Sequence, residues 1–302
     1  MYSISDVPTL EGRVALITGT NTGIGFETAR VFAGKGARVL LGCRSRQKAE
    51  DAIARITAEH PEAELRWVPL DLASLGSVRE AAKIVRTDEP RLDLLINNAG
   101  VMMPPYTLTE DGFELQFGVN HLAHFALTGL VLDGLLAQNG SRIVNVSSLA
   151  HRSGFIDFVD PQAKKLYGAQ TRYQMSKLAN LLFTLELQRR LEQAKADCLA
   201  VACHPGIADT ELGRYMPGWI NLLLPVARPF FNSATEGALP TLQAATDPGV
   251  RGGEYYGPVA RGETARGSGL AMIHPRARDA DAATRLWKLS EELTGVHFTL
   301  TP

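Results

Sequence analysis

The sequence predicts an α/β fold with a doubly wound parallel sheet. Short apolar runs, such as residues 14–17 and 92–96, alternate along the chain with amphipathic segments such as residues 74–85. This alternation is typical of parallel strands joined by crossover helices that cover both faces of the sheet. The 302 residues contain no repeat or low-complexity linker, so we expect one domain, 1–302.

Each element follows from its local pattern. Strands are expected at the apolar runs 14–17, 38–42, 65–69, 92–96, 142–146, 198–203 and, near the C-terminus, 254–256. Helices are expected between them, at 26–33, 47–59, 74–85, 117–136, 171–193 and 282–293, with Ser74 placed to cap the third helix. Ligands of such sheets lie beyond the carboxyl ends of the strands, near the switch in strand order.

Composition excludes several classes of function. The formal net charge of -1 argues against general attraction to nucleic acid or to acidic membranes. Cys43, Cys198 and Cys203 lack the spacing of a disulfide framework or a zinc site, which favours a reducing cytoplasm. The N-terminus lacks a signal-peptide pattern, and no run approaches the roughly 20 apolar residues that span a bilayer. We therefore expect a cytoplasmic protein without a transmembrane segment.

A glycine-rich loop follows the first strand. Gly19, Gly23 and Gly25 stand immediately before a helix, in the spacing G-x-x-x-G-x-G. Glycines allow a sharp turn and close approach to a pyrophosphate, and a helix N-terminus offers free N–H groups. A glycine turn without a ligand is the alternative, which the flanking strand and helix disfavour.

The second strand indicates which dinucleotide is preferred. An acidic residue at its end would bind the adenosine ribose hydroxyls and favour NAD(H), but Cys43 stands there and Arg44 follows. A guanidinium suits a 2′-phosphate by charge and geometry, so we expect NADP(H) to be preferred over NAD(H). Arg44 as a solvated surface charge is the alternative. After the third strand, Asp71 could accept from the adenine amino group or cap the next helix.

An ordered set of motifs resembles the short-chain dehydrogenase/reductase family. The matching stretches, which cover about residues 12–206, are TGTNTGIG (18–25), DL (71–72), NNAG (97–100), VNHLAHF (119–125), IVNVSSLAH (143–151), YQMSKLAN (173–180) and HPG (204–206). Several blocks are most similar to the retinol dehydrogenase branch, with the WW-domain oxidoreductase and protochlorophyllide reductase as further relatives. The resemblance implies a single-domain Rossmann fold of about seven strands, with a cofactor-binding and catalytic core at 12–206, a substrate-lid region at 207–250 and a C-terminal extension at 251–302.

The family's catalytic residues carry over onto Asn120, Ser148, Tyr173 and Lys177. Tyr173 would be the general acid in reduction and the base in oxidation. Lys177, one helical turn along, would stabilise a phenolate and lower the pKa of Tyr173. Ser148 would hydrogen-bond the substrate oxygen, and Asn120 is implied to complete a proton relay through water.

The glycine loop, the strand ends and the resemblance together predict the cofactor contacts. The resemblance implies that the N–H group of Ile207 binds the nicotinamide carboxamide and that Thr210 binds the amide or a phosphate. The full predicted set is Gly19, Asn21, Thr22, Gly23, Ile24, Gly25, Arg44, Asp71, Leu72, Asn98, Ala99, Gly100, Tyr173, Lys177, Pro205, Gly206, Ile207 and Thr210.

Two further features of the sequence allow more than one interpretation. His121 and His124 lie three apart on a predicted helix, but without a third ligand they are expected to be core histidines, so no metal site is predicted. Residues 213–231 are rich in apolar side chains and could form a substrate lid, a subunit contact or a membrane contact.

The resulting hypothesis is an NADP(H)-dependent oxidoreductase that interconverts a hydrophobic alcohol with its aldehyde or ketone. A reductase of an activated C=C bond and a non-catalytic NADP(H)-sensing scaffold are the alternatives. A homodimer or homotetramer is possible on the family pattern.

Overall fold

A twisted sheet lies between two layers of helices. The computed structural model describes residues 2–89, 91–207 and 231–300. In these residues the strands are β1 (Val14–Thr18), β2 (Arg38–Cys43), β3 (Leu65–Pro69), β4 (Leu94–Asn97), β5 (Ser141–Val146), β6 (Cys198–Cys203), β7 (Tyr255–Gly257) and β8 (Gly269–Leu270). Their order is β3-β2-β1-β4-β5-β6-β7-β8. The first seven are parallel and β8 pairs antiparallel with β7, so the predicted doubly wound parallel sheet is confirmed, with a short edge strand added.

The helices begin and end where local chemistry permits. They are α1 (Gly23–Gly34), α2 (Arg46–Glu59), α3 (Leu75–Asp88), α4 (Leu115–Leu136), α5 (Ala169–Gln193), α6 (Ala234–Thr246) and α7 (Ala280–Thr294). The side chains of Ser45, Ser74 and Asp279 accept hydrogen bonds from the first turns of α2, α3 and α7, which confirms the cap predicted at Ser74. Gly295, with φ +62, ends α7 in the left-handed conformation.

Apolar side chains fill both sides of the sheet. Helices α1, α2 and α6 pack on one face through residues such as Phe32, Ile56 and Leu242. Helices α3, α4 and α5 pack on the other face, where Phe125 and Leu187 are completely buried. Because both faces are covered, the central strands β1 and β4 are fully buried and almost entirely apolar, without alternation.

The strand order places several loops at one edge. β1 and β4 are neighbours, with Ile17 opposite Ile96, although β2 and β3 separate them along the chain. The strand order therefore reverses at β1, and the loops after β1 and β4 meet outside their carboxyl ends. This crevice is where ligands of doubly wound sheets bind.

The region assigned to a lid divides into two parts. Residues 208–230, which include most of the apolar segment 213–231 and Thr210, lie outside the described residues. The later part of 207–250 forms α6, whose Ala238, Leu242 and Ala245 pack in the core beneath the sheet. The expectation of a lid is therefore wrong for 234–246, because these apolar positions recur at helical spacing and meet the sheet.

Helix α4 is apolar enough to resemble a membrane span. It is the one helix in the described part of the chain with the length and composition to cross a bilayer, but 72% of its most apolar window is buried inside the protein. That burial is the pattern of a core helix, and it follows from the position of α4 between the sheet and α7.

The C-terminal helix α7 packs on α4 and α5 through aromatic rings. The ring centroid of Trp287 lies 5.2 Å from that of Phe125, 5.8 Å from that of Phe183 and 4.6 Å from that of Phe298. The guanidinium carbon of Arg190 lies 4.2 Å from the centroid of the Trp287 ring. Offset and edge-on contacts of this kind add to the stabilisation from burial.

Replacing Trp287 by alanine should destabilise the protein by about 3–5 kcal/mol, because it empties the centre of this aromatic cluster. Urea unfolding measures the change. Lys288→Ala, on the exposed side of the same helix, is the control and should change the free energy of unfolding by less than about 0.5 kcal/mol. Equal effects of the two substitutions would contradict the packing role of Trp287.

Candidate active site

The glycine loop after β1 has the shape of a phosphate cradle. Gly19 has φ +73, and a Cβ atom at Gly25 would lie only 2.3 Å from the carbonyl oxygen of Gly19 and 2.5 Å from Nδ2 of Asn98. Thr22 is the residue before α1, and its side chain does not cap the helix. The first N–H groups of α1 therefore donate no hydrogen bond to a capping side chain. The loop therefore fits the pyrophosphate of a dinucleotide, with Asn21, Gly23 and Ile24 beside it.

Thr18 joins the ends of β1 and β4. Its hydroxyl oxygen accepts hydrogen bonds from the N–H groups of Asn98 (3.0 Å) and Ala99 (2.9 Å), and Nδ2 of Asn98 donates to the carbonyl of Thr18 (2.7 Å). Asn97 has a structural role, since its side-chain amide donates to Thr128 and Asn145 in the core. The loop 98–100 is thereby held against the glycine loop.

Arg44 and Asp71 lie together after β2 and β3. A guanidinium nitrogen of Arg44 is 3.5 Å from Oδ2 of Asp71, and the Arg44 side chain is 76% exposed, so it is free to reorient toward an anion. Asp71 does not cap α3, because Ser74 does; its Oδ1 accepts from the N–H group of Ala73 instead. Burial raises the pKa of Cys43, which stays a neutral thiol beside them.

Asn120 lies on a wide turn of α4. Residues Gly118–Leu122 form a single π-helical turn, a feature often found at functional sites. The side chain of Asn120 donates to the hydroxyl of Ser176 (2.9 Å) and exchanges hydrogen bonds with the backbone of Val101. A Cβ atom at Gly100 would lie 3.1 Å from Oδ1 of Asn120 and 3.6 Å from Nζ of Lys177. The loop after β4, α4 and α5 therefore converge at this point.

His124 ties Asn120 to the cofactor loops. Its Nδ1 is 3.1 Å from the carbonyl oxygen of Asn120, and its Nε2 is 2.9 Å from the hydroxyl of Thr18. Burial lowers the pKa of His124 to about 4, so the ring is neutral, donating from Nδ1 and accepting at Nε2. His124 is a core histidine, as predicted, but the sequence did not indicate this bridge. Neither the His124 bridge nor the hydrogen bond between Ser176 and Asn120 is marked by a recognisable spacing of residues in the sequence.

Tyr173 and Lys177 lie on one face of α5, near Ser148. Nζ of Lys177 is 5.7 Å from the centroid of the Tyr173 ring and donates to the carbonyl of Val146 (3.1 Å). Burial lowers the pKa of Lys177 to about 8. Burial also raises the pKa of Tyr173, while a hydrogen bond with the side chain of Ser148 acts in the opposite direction.

The expected lowering of the Tyr173 pKa is therefore not found. Burial penalises the charged form of both groups, and this penalty outweighs the favourable contribution of the neighbouring hydroxyl. Tyr173 is consequently a neutral phenol at neutral pH, which is the form that can donate a proton.

Ser148 presents its hydroxyl as a donor. It precedes the helical turn Leu149–Ser153, and its Oγ accepts from the N–H group of Ala150 (3.2 Å). The hydroxyl proton is then free to point toward Tyr173 or a substrate oxygen. Ser147 has a structural role, because its hydroxyl donates to the carbonyl of Lys177 (2.7 Å).

The loop after β6 departs from one expectation. The N–H group of Ile207 donates to the carbonyl of Thr264 (2.9 Å), so it is already bonded and does not stand free for a carboxamide. The competing acceptor comes from the chain between β7 and β8. Asn232 donates to the carbonyl of Pro205 (2.9 Å), and Gly206 has φ +70.

Side-chain contacts hold residues 154–168, the connection between the turn Leu149–Ser153 and α5. Tyr167 donates to the carbonyl of Pro104 (2.6 Å), and Arg172 pairs with Asp157 at 3.2 Å. The side chain of Gln116 accepts from the N–H group of Met103 (2.8 Å).

Within residues 2–89, 91–207 and 231–300, no group of three His, Cys, Asp or Glu side chains is arranged to hold a metal ion. His121, the neighbour of Asn120, bonds to the hydroxyl of Ser290 (2.8 Å) and stacks on Phe117. Its position is that of a core histidine.

Comparison with known proteins agrees with this architecture. The family model of the short chain dehydrogenases matches residues 13–220. Human retinol dehydrogenase 12 is 43% identical over 291 residues, covering 96% of this chain and 88% of its own, and human retinol dehydrogenase 13 is 42% identical over 297 residues, covering 95% and 86%. A solved structure of an uncharacterised protein from Mycobacterium paratuberculosis is 39% identical, with a TM-score of 0.84 and 99% coverage of both chains. The chain belongs to the short-chain dehydrogenase family.

Replacing Lys177 by methionine should stabilise the fold at pH 7 by as much as about 3 kcal/mol, since it removes a buried charge. The carbonyl of Val146 keeps a donor in Nδ2 of Asn180 at 3.1 Å. The pKa of about 8 in the folded protein lies below the usual lysine value of 10.5, so wild-type stability should rise with pH between these values and the difference between the two proteins should shrink.

Urea unfolding at pH 7 and pH 10 measures this effect. Lys288→Met, which removes an exposed charge, is the control and should show no such pH-dependent gain. A destabilised Lys177→Met at pH 7 would show that the ammonium contributes more by its contacts than its burial costs.

Proposed function

We propose that the protein is an NADP(H)-dependent oxidoreductase that interconverts a hydrophobic alcohol with its aldehyde or ketone. The observation that carries the proposal is the convergence of Ser148, Tyr173, Lys177 and Asn120 next to the loop 98–100. These groups come from α4, α5 and the end of β5, and a structural role alone does not require a buried ammonium beside a buried phenol.

The roles of the side chains follow from their protonation and geometry. A bound nicotinamide supplies or accepts the hydride. The hydroxyl of Ser148, already an acceptor from Ala150, donates to the substrate oxygen and holds it beside Tyr173. Tyr173, kept neutral by burial, gives its phenolic proton to that oxygen in reduction and takes it back in oxidation.

Lys177 and Asn120 support this proton transfer. The pKa of Lys177, about 8, leaves most of the side chain charged at pH 7, so the ammonium stabilises the phenolate left by Tyr173. Asn120 fixes the loop after β4 through Val101 and contacts α5 through Ser176. We propose that Asn120 aligns α4 with α5 and supports a water-mediated proton relay.

The resemblance to named relatives supports an apolar substrate. Two of the similar proteins are named retinol dehydrogenases, which implies a long, apolar alcohol in those proteins. We therefore propose a hydrophobic primary or secondary alcohol, or its carbonyl form, as the substrate class here.

The NADP(H) preference rests on Arg44. Its guanidinium is mostly exposed and, within the described residues, pairs with the carboxylate of Asp71 at 3.5 Å, whereas a 2′-phosphate offers a stronger and bidentate partner. Cys43, a neutral thiol, supplies no negative charge to repel that phosphate.

Replacing Tyr173 by phenylalanine should lower kcat by at least about 100-fold, because it removes the proton donor. The assay is NADPH oxidation with a panel of hydrophobic aldehydes and ketones, beside NADPH binding measured by fluorescence. The matched control is Tyr2→Phe, which removes a hydroxyl that is hydrogen-bonded to Thr246 (2.6 Å) and should retain activity.

The outcomes of that assay separate the alternatives. Turnover of carbonyl compounds by the wild type but not by Tyr173→Phe supports the proposal. Turnover of activated C=C bonds alone would favour the reductase alternative. NADPH binding without turnover of any compound would favour a sensing scaffold.

Replacing Arg44 by glutamine should raise KM for NADPH by about 10–100-fold while leaving KM for NADH nearly unchanged, because one charge-assisted contact is lost. Arg46→Gln is the control, since the Arg46 side chain already pairs with Glu50 at 2.8 Å. A parallel loss with both cofactors would contradict 2′-phosphate recognition by Arg44.

A further inference from the structure

His151 is buried directly behind Ser148. Its Nδ1 lies 2.7 Å from the carbonyl oxygen of Ser148, and its Nε2 lies 3.3 Å from the N–H group of His274. A carbonyl oxygen only accepts and a backbone N–H only donates. Both contacts are therefore satisfied by one neutral tautomer, which carries its proton on Nδ1.

The surroundings keep this ring neutral and fixed. The side chain is fully buried, and the Tyr255 ring meets it edge-on at 5.4 Å between centroids. Burial lowers the pKa of His151 to about 4, and the nearby Arg152 and His274 act in the same direction. The pattern of one donor and one acceptor is thus maintained at neutral pH.

The chain after β7 holds the same turn at two other points. Arg152 forms an ion pair with Glu263, which also accepts from the N–H group of Met272 (3.1 Å). Arg276 donates to the carbonyl of Gly154 (3.1 Å). Together with the bond from His274, these contacts connect residues 263–276 to the turn 149–154.

The turn also sets the position of the Ser148 hydroxyl. Ser148 has extended backbone angles (φ -163, ψ 159), and its carbonyl receives both the backbone N–H (3.1 Å) and the ring N–H of His151. Its Oγ is held by Ala150. Rotation of the 148–149 peptide would displace the hydroxyl, and misplacement of a catalytic group by about 1 Å can reduce a rate about 100-fold.

We propose that His151 is a positioning residue that fixes Ser148 for catalysis through its Nδ1–H bond to the Ser148 carbonyl, with the His274 amide selecting the tautomer. The proposal rests on the proposed function only for its kinetic consequence. The tautomer itself is a property of the folded protein.

The kinetic test is a double-mutant cycle. His151→Phe keeps an aromatic ring but loses both polar contacts, and its kcat should fall about 10–100-fold with little change in KM. The same substitution in a Ser148→Ala background should cause little further loss, because the hydroxyl to be positioned is absent. His151→Asn, which places an amide N–H near the former Nδ1, should recover most of kcat.

A matched control separates positioning from stability. Thr246→Val removes a buried hydroxyl that bonds Tyr2 and Leu242 on α6, under the opposite face of the sheet. It should lower the thermal midpoint without lowering kcat. Two results would overturn the proposal. One is an equal fall of kcat from His151→Phe with and without the Ser148→Ala substitution, and the other is no fall of kcat from His151→Phe in the protein that retains Ser148.

The tautomer is read in the wild-type protein by 15N NMR of labelled histidine, with the His151 signals assigned from the spectrum of His151→Asn or His151→Phe. A protonated Nδ1 and an unprotonated Nε2 are expected. The reverse pattern would overturn the proposal even if His151→Phe did not fold. If the wild type turned over no substrate, the proposed function would fail and this measurement would still decide the ring's bonding.

Discussion

The need to satisfy buried polar groups at the carboxyl ends of β1, β4 and β5 governs the rest of the structure. Thr18, His124 and Asn145 have almost no exposed surface, and an unpaired polar atom at such a position costs roughly 1–3 kcal/mol. Their hydrogen bonds run from the glycine loop through Thr18 and His124 to Asn120, and from Asn97 through Asn145 to Thr184 on α5. This network fixes α4 and α5 relative to the strands, so the functional side chains on the two helices have one arrangement.

The active site is built at the expense of stability. Lys177 and Tyr173 are buried where water cannot solvate their charged forms, and the pKa of each moves in the direction that favours the neutral form. A neutral phenol is a ready acid, and an ammonium in a poorly hydrated site interacts strongly with any negative charge that develops nearby. The large apolar core on both faces of the sheet offsets this unfavourable burial.

The chain beyond β6 contributes to the core as well as to the site. β7 extends the sheet, and α7 covers α4 and α5. The loop between β7 and β8 accepts a hydrogen bond from the N–H group of Ile207. Residues 251–302 are therefore more than an extension, because the positions of Ile207 and His151 depend on contacts with them.

The sequence by itself determined the fold class and the first seven strands, and it predicted which residues form the site. Apolar runs and helical spacing are local signals, and glycines or capping residues mark loops through their own conformational preferences. The grouping of Asn120, Ser148, Tyr173 and Lys177 was predicted because the motifs occur in a characteristic order. Tertiary structure alone decided the bridge through His124, the bond between Ile207 and Thr264, the core position of α6 and the raised pKa of Tyr173. Each depends on burial or on a partner distant in the sequence, and neither the desolvation of a group nor its nearest acceptor is a local property of the chain.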